Sequence, residues 1–510
     1  MTADGGGAGS RGFPGFGEDA PLDVSNLAAG AEAGVLRRLR DGTFDAWADT
    51  AATVGYCARP VRLTGHSTTI DATTGEVLGS FSSVDTPLGV LHRACGNRRA
   101  DVCPACSRVY ARDTFAMIRA GIVGGKTVPE QVVENPLLFV TFTAPSFGHV
   151  HGPRPRAGQH TGGRCRPRGR AARCSHGRPV GCMSVHGPDD PVNGSALCPD
   201  CYDWNSAVIW QWWAPELWRR TTIALRRSVA VAFGVPESRL RDVASLQYAK
   251  VAEYQTRGLV HFHALIRLDG PDGPGAPATR DGEHLATLVD RVAGAVSFTV
   301  PGVDPEDVNR TLSWGKQLDV RVVRCGNRTD DTNGPLSPEQ VAGYLAKYAT
   351  KDANSIRDRS APRPHLIRLA ATCRDLAHRA RDHDPSGSPY LLVGKWAHML
   401  GFRGHFSTKS RRYSITLGRL RRARQRFQTL TAEARRVGDA LDVRDLEARL
   451  LADDEDTTLV IGSWGYQGTG WTQPGDEALA LAAAARAREY QQWKAERQHR
   501  RGMTSDEGRG

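Results

Sequence analysis

The sequence predicts an α+β chain, with antiparallel strands and long helices in separate stretches and cysteine-rich segments set among them. Three observations carry this reading. Residues 251–266 read as two strands about a tight turn, because apolar residues alternate or run on both sides of Arg257-Gly258. Residues 137–145 form a β-rich run closed by Pro145. Residues 337–351 read as a helix, with Ser337 as N-cap, Pro338 at the first helical position and Gln340 three after the cap.

With 510 residues the chain is long enough for about two to four domains and a sizeable core. Its net charge of +12 suits a polyanionic partner. It has no apolar run of transmembrane length and no charged start followed by an apolar core, so a cytoplasmic protein without a membrane partner is expected.

Taken in order, residues 1 to about 28 are a Gly-rich lead-in whose composition predicts disorder. A short helix is expected over 29–50. Eleven cysteines then begin, and they cluster. Cys57, Cys95, Cys103 and Cys106 form one group, Cys165, Cys174, Cys182, Cys198 and Cys201 another, and Cys325 and Cys373 stand alone. Each group ends in a Cys-x-x-Cys pair. In a reducing compartment such pairs are more often zinc knuckles than disulfides. Two structural zinc sites are therefore expected: Cys57 with Cys95, Cys103 and Cys106, and Cys174 with Cys182, Cys198 and Cys201. His92, His176, His186 and Cys165 are alternative ligands.

Residues 120–127 fit a loose phosphate-binding loop, but the preceding segment reads as a helix and Pro129 follows closely. A phosphate loop needs a strand before it and a helix after it. The glycines therefore read as a helix C-terminal turn, and the chain is expected to carry no helicase of its own. Residues 145–203 interrupt the fold after its first strand. They hold Arg164, Arg166, Arg168, Arg170, Arg173 and Arg178, which suit either a solvated loop held by zinc or a finger tracking DNA phosphates. A long helix over 203–233 carries five tryptophans whose helical spacing favours core packing over base stacking. A helix over 282–296, an alternating strand over 316–323 and a helix over 364–382 follow. Lys409, Arg411, Arg412, Arg419, Arg421, Arg422, Arg424 and Arg426 form a basic run, read as a DNA-binding surface against the plainer reading of a solvated face. An Ala-rich helix occupies 475–500.

The chemistry-bearing residues lie in the middle. His261 and His263 are two apart, so on a strand they share one face and make half of a divalent metal site. A hairpin closing at Arg257-Gly258 brings the Glu253 carboxylate beside them as a third ligand. An isolated His-x-His is more often an ordinary half-buried strand, and the two flanking stretches decide against that here. On the helix after Ser337, Tyr344 and Tyr348 are at i and i+4, and so are Lys347 and Lys351.

The order Phe139-x-Thr141-x-Thr143, His261-Phe262-His263 and Tyr344-x-x-Lys347-Tyr348-x-x-Lys351 resembles the three motifs of rolling-circle replication initiators of the HUH endonuclease superfamily. Within it the chain is similar to the RepSA-type initiators of actinobacterial plasmids and integrative elements, cysteine-rich flanks included. The resemblance implies an HUH core with a central antiparallel, ferredoxin- or RRM-like sheet flanked by helices. The domains expected are a disordered 1–28, a zinc-binding 29–130, an endonuclease domain at 131–352 with a zinc insertion at about 145–203, and a basic, mainly helical 353–510. It implies magnesium or manganese on His261, His263 and Glu253, and nicking of origin DNA by tyrosine attack, with Tyr348 as first nucleophile and Tyr344 as second or helper. Lys347 and Lys351 would stabilise a phenolate. A host helicase and DNA polymerase are the implied partners. Other readings are a conjugative relaxase or HUH transposase, a zinc-dependent DNA-binding regulator that does not cut, and a metallohydrolase that uses water.

Overall fold

The computed structural model describes residues 31–156, 159–168, 172–324, 341–345, 363–438, 446–451, 458–473 and 475–506. The chain divides into two compact units, residues 1–110 with 453–510, and residues 111–452. The Gly-rich lead-in lies outside the described residues.

In the first unit, helices Ala31–Arg40 and Phe44–Thr53 replace the single expected helix, with Gly42 at a positive φ of 63° between them. Strand Val61–Asp71 pairs antiparallel with Val77–Ser82, with Leu91–Arg93 and, over its full length, with Thr458–Thr469. Helix Asp476–Asp506 follows, and its first residue makes a fully buried ion pair with Arg38, at 2.7 Å. Val35, Trp47, Ala51, Leu479 and Ala480 close a small core beside it. This division cuts across the expected one: residues 458–506 join the N-terminal cysteine region instead of a separate C-terminal region. Strand partners hundreds of residues apart leave no local signal.

The second unit is built on a five-stranded antiparallel sheet. Its order is Leu318–Arg324, Leu137–Phe142, Val260–Asp269, Ser245–Tyr254 and Ser407–Lys409. One face carries the main core. Phe142, Phe262, Ala264 and Ile266 meet helices Trp204–Ala232, Gly282–Ala295 and Pro364–His383 there. Asp203 caps the first of these helices by accepting from the Ser206 N–H at 2.9 Å. Trp210, Trp212 and Trp218 are buried and Trp204 and Trp213 partly so, which answers the tryptophan question in favour of packing. Residues 364–409 thus complete the central unit, although the sequence placed them beyond it.

Helix Pro104–Val123 ends in a turn with Gly124 at φ 81° and Gly125 at φ 83°. No strand precedes this turn, so the phosphate-loop geometry is absent. Residues 146–203 form the insertion, with a small sheet of Arg154–Arg156, Gln159–Arg166 and Cys182–Val185. Among the described residues no helix is long and apolar enough to cross a membrane.

Candidate metal centre and its surroundings

The hairpin of Ser245–Tyr254 and Val260–Asp269 places Glu253 directly opposite His261. Its turn is fixed locally. The Gln255 N–H donates to Leu259 O and the Gly258 N–H to Gln255 O, both at 2.8 Å. Gly258 has φ 77°, and a Cβ there would meet Leu366, Leu369 and Leu400, so glycine is needed for both backbone and space. The buried Gln211 amide spans the turn from the long helix. It donates to Gly258 O and accepts from the Val260 N–H, each at 2.8 Å.

This turn brings three ligating atoms together. Glu253 Oε2 lies 2.9 Å from His261 Nε2 and 3.1 Å from His263 Nε2. The side chains are mostly covered, at 16% exposure for Glu253, 17% for His261 and 5% for His263. Burial pushes the Glu253 carboxyl up, but hydrogen bonds from His261 and His263 outweigh it and hold the group below the usual carboxylate range. Burial lowers His263. A carboxylate and a neutral imidazole are the forms that bind a metal. The donor set of two imidazole nitrogens and one oxygen, converging on one point, fits a divalent ion such as manganese.

The neighbouring strand supplies the orientation. Thr141 lies opposite His263 and its Oγ1 is 3.0 Å from His263 Nδ1, which turns Nε2 toward Glu253. The Phe139 ring stacks on His263 with a centroid distance of 5.5 Å and a 10° tilt. Thr143 donates its hydroxyl to Gln317 O at 2.5 Å, tying this strand to the start of the next. Each named position of the Phe-x-Thr-x-Thr stretch therefore has a physical task, which the sequence reading had left unassigned.

Residues 341–345 are helical, and Tyr344 stands edge-on to His263 at 5.4 Å and to Phe139 at 6.0 Å. Its side chain remains 40% exposed. Tyr348, Lys347 and Lys351 lie outside the described residues, as do Ser337, Arg170 and Cys325.

Three further groups each gather four metal-ligating side chains. Cys57, Cys95, Cys103 and Cys106 come together in the first unit, with Cys103 Sγ 3.7 Å from Cys57 Sγ. Thiolate is the form zinc binds, and the four sulfurs converge on one point. His92 is not part of this group; it stacks on Trp471 instead. In the insertion, Cys174, Cys198 and Cys201 are joined by His176, whose Nδ1 lies 3.2 Å from Cys201 Sγ. Cys182 is not with them. Its strand pairs with Gln159–Arg166, where Arg166 faces Cys182, and this places it beside Cys165, His151 and His186. The expected set of Cys174, Cys182, Cys198 and Cys201 is corrected accordingly. His176, His186 and Cys165 were among the alternative ligands, and the four-residue step from Cys182 to His186 is the signal that sets the last two with Cys182.

The basic run divides by task. Lys409 Nζ is turned inward and donates to Ser414 O at 2.6 Å, and burial lowers it to about 8. Arg424 pairs with Asp113, and Arg419 and Arg426 donate to Leu451 O and Leu450 O. Arg411, Arg412, Arg421 and Arg422 are exposed.

Comparison with known proteins shows the family. The family described as RepSA, replication initiator protein, pSAM2, matches residues 43–485. A replication initiator protein of Streptomyces ambofaciens is 41% identical over 469 residues, covering 88% of this chain and 92% of the relative. No solved structure matches. The match spans both units and every cluster described above, and the chain belongs to the RepSA family of replication initiator proteins.

Proposed function

We propose that this initiator is an HUH-type nickase that opens one strand of its replication origin by tyrosine transesterification. The observation carrying this reading is the convergence of Glu253, His261 and His263 on one point beside the Tyr344 ring, in a chain of replication-initiator family. Glu253, His261 and His263 would hold a divalent ion, which would supply polarisation of the scissile phosphate and offset its charge. Magnesium or manganese would suit this role, and the histidine donors favour manganese.

A phenol has a pKa of about 10 and needs help to lose its proton. Lys347 and Lys351 stabilise the phenolate. Tyr348 attacks phosphorus in line, the bond from phosphorus to O3′ breaks, and the leaving oxygen takes a proton to become a free 3′-hydroxyl. The phosphate stays on the tyrosine as a 5′-phosphotyrosine. Tyr344 is the second nucleophile, for termination, or a helper at the first step. The covalent link conserves the phosphodiester energy, so a hydroxyl can displace the tyrosine and rejoin strands without ATP. A host helicase opens the duplex and a host polymerase extends the 3′-end. Cys57, Cys95, Cys103 and Cys106 hold a structural zinc ion, as do Cys174, His176, Cys198 and Cys201. Arg411 and Arg412, together with Arg421, Arg422 and Arg419 on helix Leu417–Val437, contribute the phosphate-binding surface.

The test is cleavage of labelled single-stranded origin DNA, with manganese or with chelator, on a denaturing gel. The expected result is a metal-dependent band shifted by the mass of the protein, mapping by peptide mass spectrometry to Tyr348 or Tyr344. Cleavage without an adduct would make water the nucleophile. Binding without cleavage, by protein that retains its metals, would make the regulator reading the better one.

A further inference from the structure

The insertion holds one group of side chains that the nickase reading does not use. His151, Cys165, Cys182 and His186 present their ligating atoms to one another in a largely covered space, with Cys165 at 2% exposure and His186 at 7%. His151 Nδ1 lies 3.3 Å from His186 Nε2, and Cys182 Sγ lies 3.4 Å from the same nitrogen. A tetrahedral zinc ion with its usual bonds to sulfur and nitrogen requires ligand atoms about 3.3–3.8 Å apart. Two neighbouring features are those of a metal knuckle. The Gly152 N–H points at Cys165 Sγ at 3.3 Å. Asp190 Oδ2 lies 2.7 Å from His186 Nδ1, which fixes that ring with Nε2 facing the cluster.

The cluster sits where the insertion meets the hairpin. His151 is paired through its backbone in both directions: its N–H donates to Ser195 O, and its carbonyl accepts from the Gly194 N–H, each at 2.8 Å. Gly194 in turn lies flat on the hairpin turn. With φ 84°, its added Cβ would fall 2.2 Å from Thr256 O. From the other side, Asp190 also accepts from the Val192 N–H, and the buried Asn193 amide donates to Gly187 O and Pro188 O. The turn answers with Arg257, which donates to Ala144 O and Pro145 O at the root of the insertion. A short, continuous path therefore runs from His151 and His186 to the turn between Glu253 and His261.

We propose that His151, Cys165, Cys182 and His186 hold a third structural zinc ion, distinct from the one at Cys174, His176, Cys198 and Cys201, and that this ion clamps the base of the insertion onto the turn of the Glu253–His261 hairpin. The ion closes the two strands bearing Cys165 and Cys182 against the segment bearing His151. Asp190 is a positioning residue that acts through His186. Nothing in this inference depends on nicking, and its readouts are metal content and backbone protection.

Native mass spectrometry of the full chain tests the ion. Cys165→Ser should lose one zinc relative to the unmodified chain, Cys174→Ser should lose one, and the double variant should lose two. Retention of the full count by Cys165→Ser, or loss of only one ion by the double variant, would overturn the separate site. Asp190→Asn keeps all four ligands and guards against a variant that simply misfolds. It should weaken one zinc by about 10–100-fold in chelator competition, and unchanged competition would count against the site. Hydrogen exchange tests the clamp. Cys165→Ser should raise exchange across residues 191–197 and 255–260, and Cys174→Ser should not. Unchanged protection at the turn after loss of the ion would overturn the clamp.

Discussion

The four-ligand clusters and the Glu253 triad are built on opposite plans. Cys57, Cys95, Cys103 and Cys106 come from separate segments of the first unit, with Cys57 and Cys103 fully covered and all four ligands in place. The triad comes from one hairpin segment, residues 253–263, offers three ligating atoms, and has the half-exposed Tyr344 ring beside it. Four protein ligands complete a tetrahedron and leave nothing for a substrate, whereas three leave positions open. A site that closes on itself holds chain together; a site that stays open can meet a phosphate. The triad gains its rigidity from neighbours: Thr141 and Phe139 on His263, and Gln211 on the turn.

The comparison can be broken most sharply at the tyrosines. Tyr344→Phe combined with Tyr348→Phe should lower nicking by roughly 10⁴-fold or more while DNA binding in a mobility-shift assay persists. Residual nicking would remove the tyrosines from the chemistry. Next, His261→Ala should abolish metal-dependent cleavage and leave the thermal midpoint little changed. Cys57→Ser should do the reverse kind of damage, lowering the midpoint and exposing the first unit to protease, because structural zinc contributes folding energy directly. If the two variants behaved alike, the division into open and closed sites would fail. A smaller effect is expected at Thr141→Val, which removes the partner of His263 Nδ1. A weakening of about 10–100-fold in metal affinity should follow, read as a shift in the manganese dependence of cleavage.

The reverse face of the same strands offers a control without any metal. Lys250 is buried there, donates to His405 O at 2.9 Å and lies over the Phe262 ring. Burial pushes its pKa down to about 7. Above that pH the unfolded chain holds the proton more tightly than the folded one, so stability should rise between about pH 7 and 10 by up to about 1.4 kcal/mol per pH unit. Lys250→Met should be more stable at pH 7 and should lose that slope in urea titrations. An unchanged slope would place its source elsewhere. The smallest effect belongs to the exposed arginines. Arg421→Ala should weaken DNA binding evenly across sequences and reduce the salt dependence by about one phosphate contact.

What was legible in the sequence was what is decided nearby. Glu253 and His261 are eight residues apart across a Gly258 turn, so the hairpin could be read directly. The ends of the helices at 204–232, 282–295 and 364–383 fell within a residue or two of expectation, because Asp203, Asp281 and Pro364 are local signals. Cysteine partners were harder. The Cys-x-x-Cys pairs each stay together, but Cys182 went to the nearer group in sequence when strand pairing carries it to Cys165. His151 and Asp190 gave no pattern at all, since their neighbours are set by a loop folding back on itself. The roles of Phe139 and Thr141 were equally hidden, because they depend on which strand lies next to His263. Tyr348, Lys347 and Lys351 lie outside the described residues, and their roles rest on the motif.

The pairing of Val61–Asp71 with Thr458–Thr469 bears on how the chain is made. Val61 meets Thr469, 408 positions later. At a synthesis rate of about 5–20 residues per second, the first strand waits roughly 20–80 s for its longest partner. Throughout that time it has an open edge on one side, the kind of edge that recruits other strands. The central unit, whose strands all lie between residues 137 and 409, can close before then. The sheet of the first unit therefore needs a strand made after all those of the central one, and a message cut short before residue 458 leaves Val61–Asp71 without this partner.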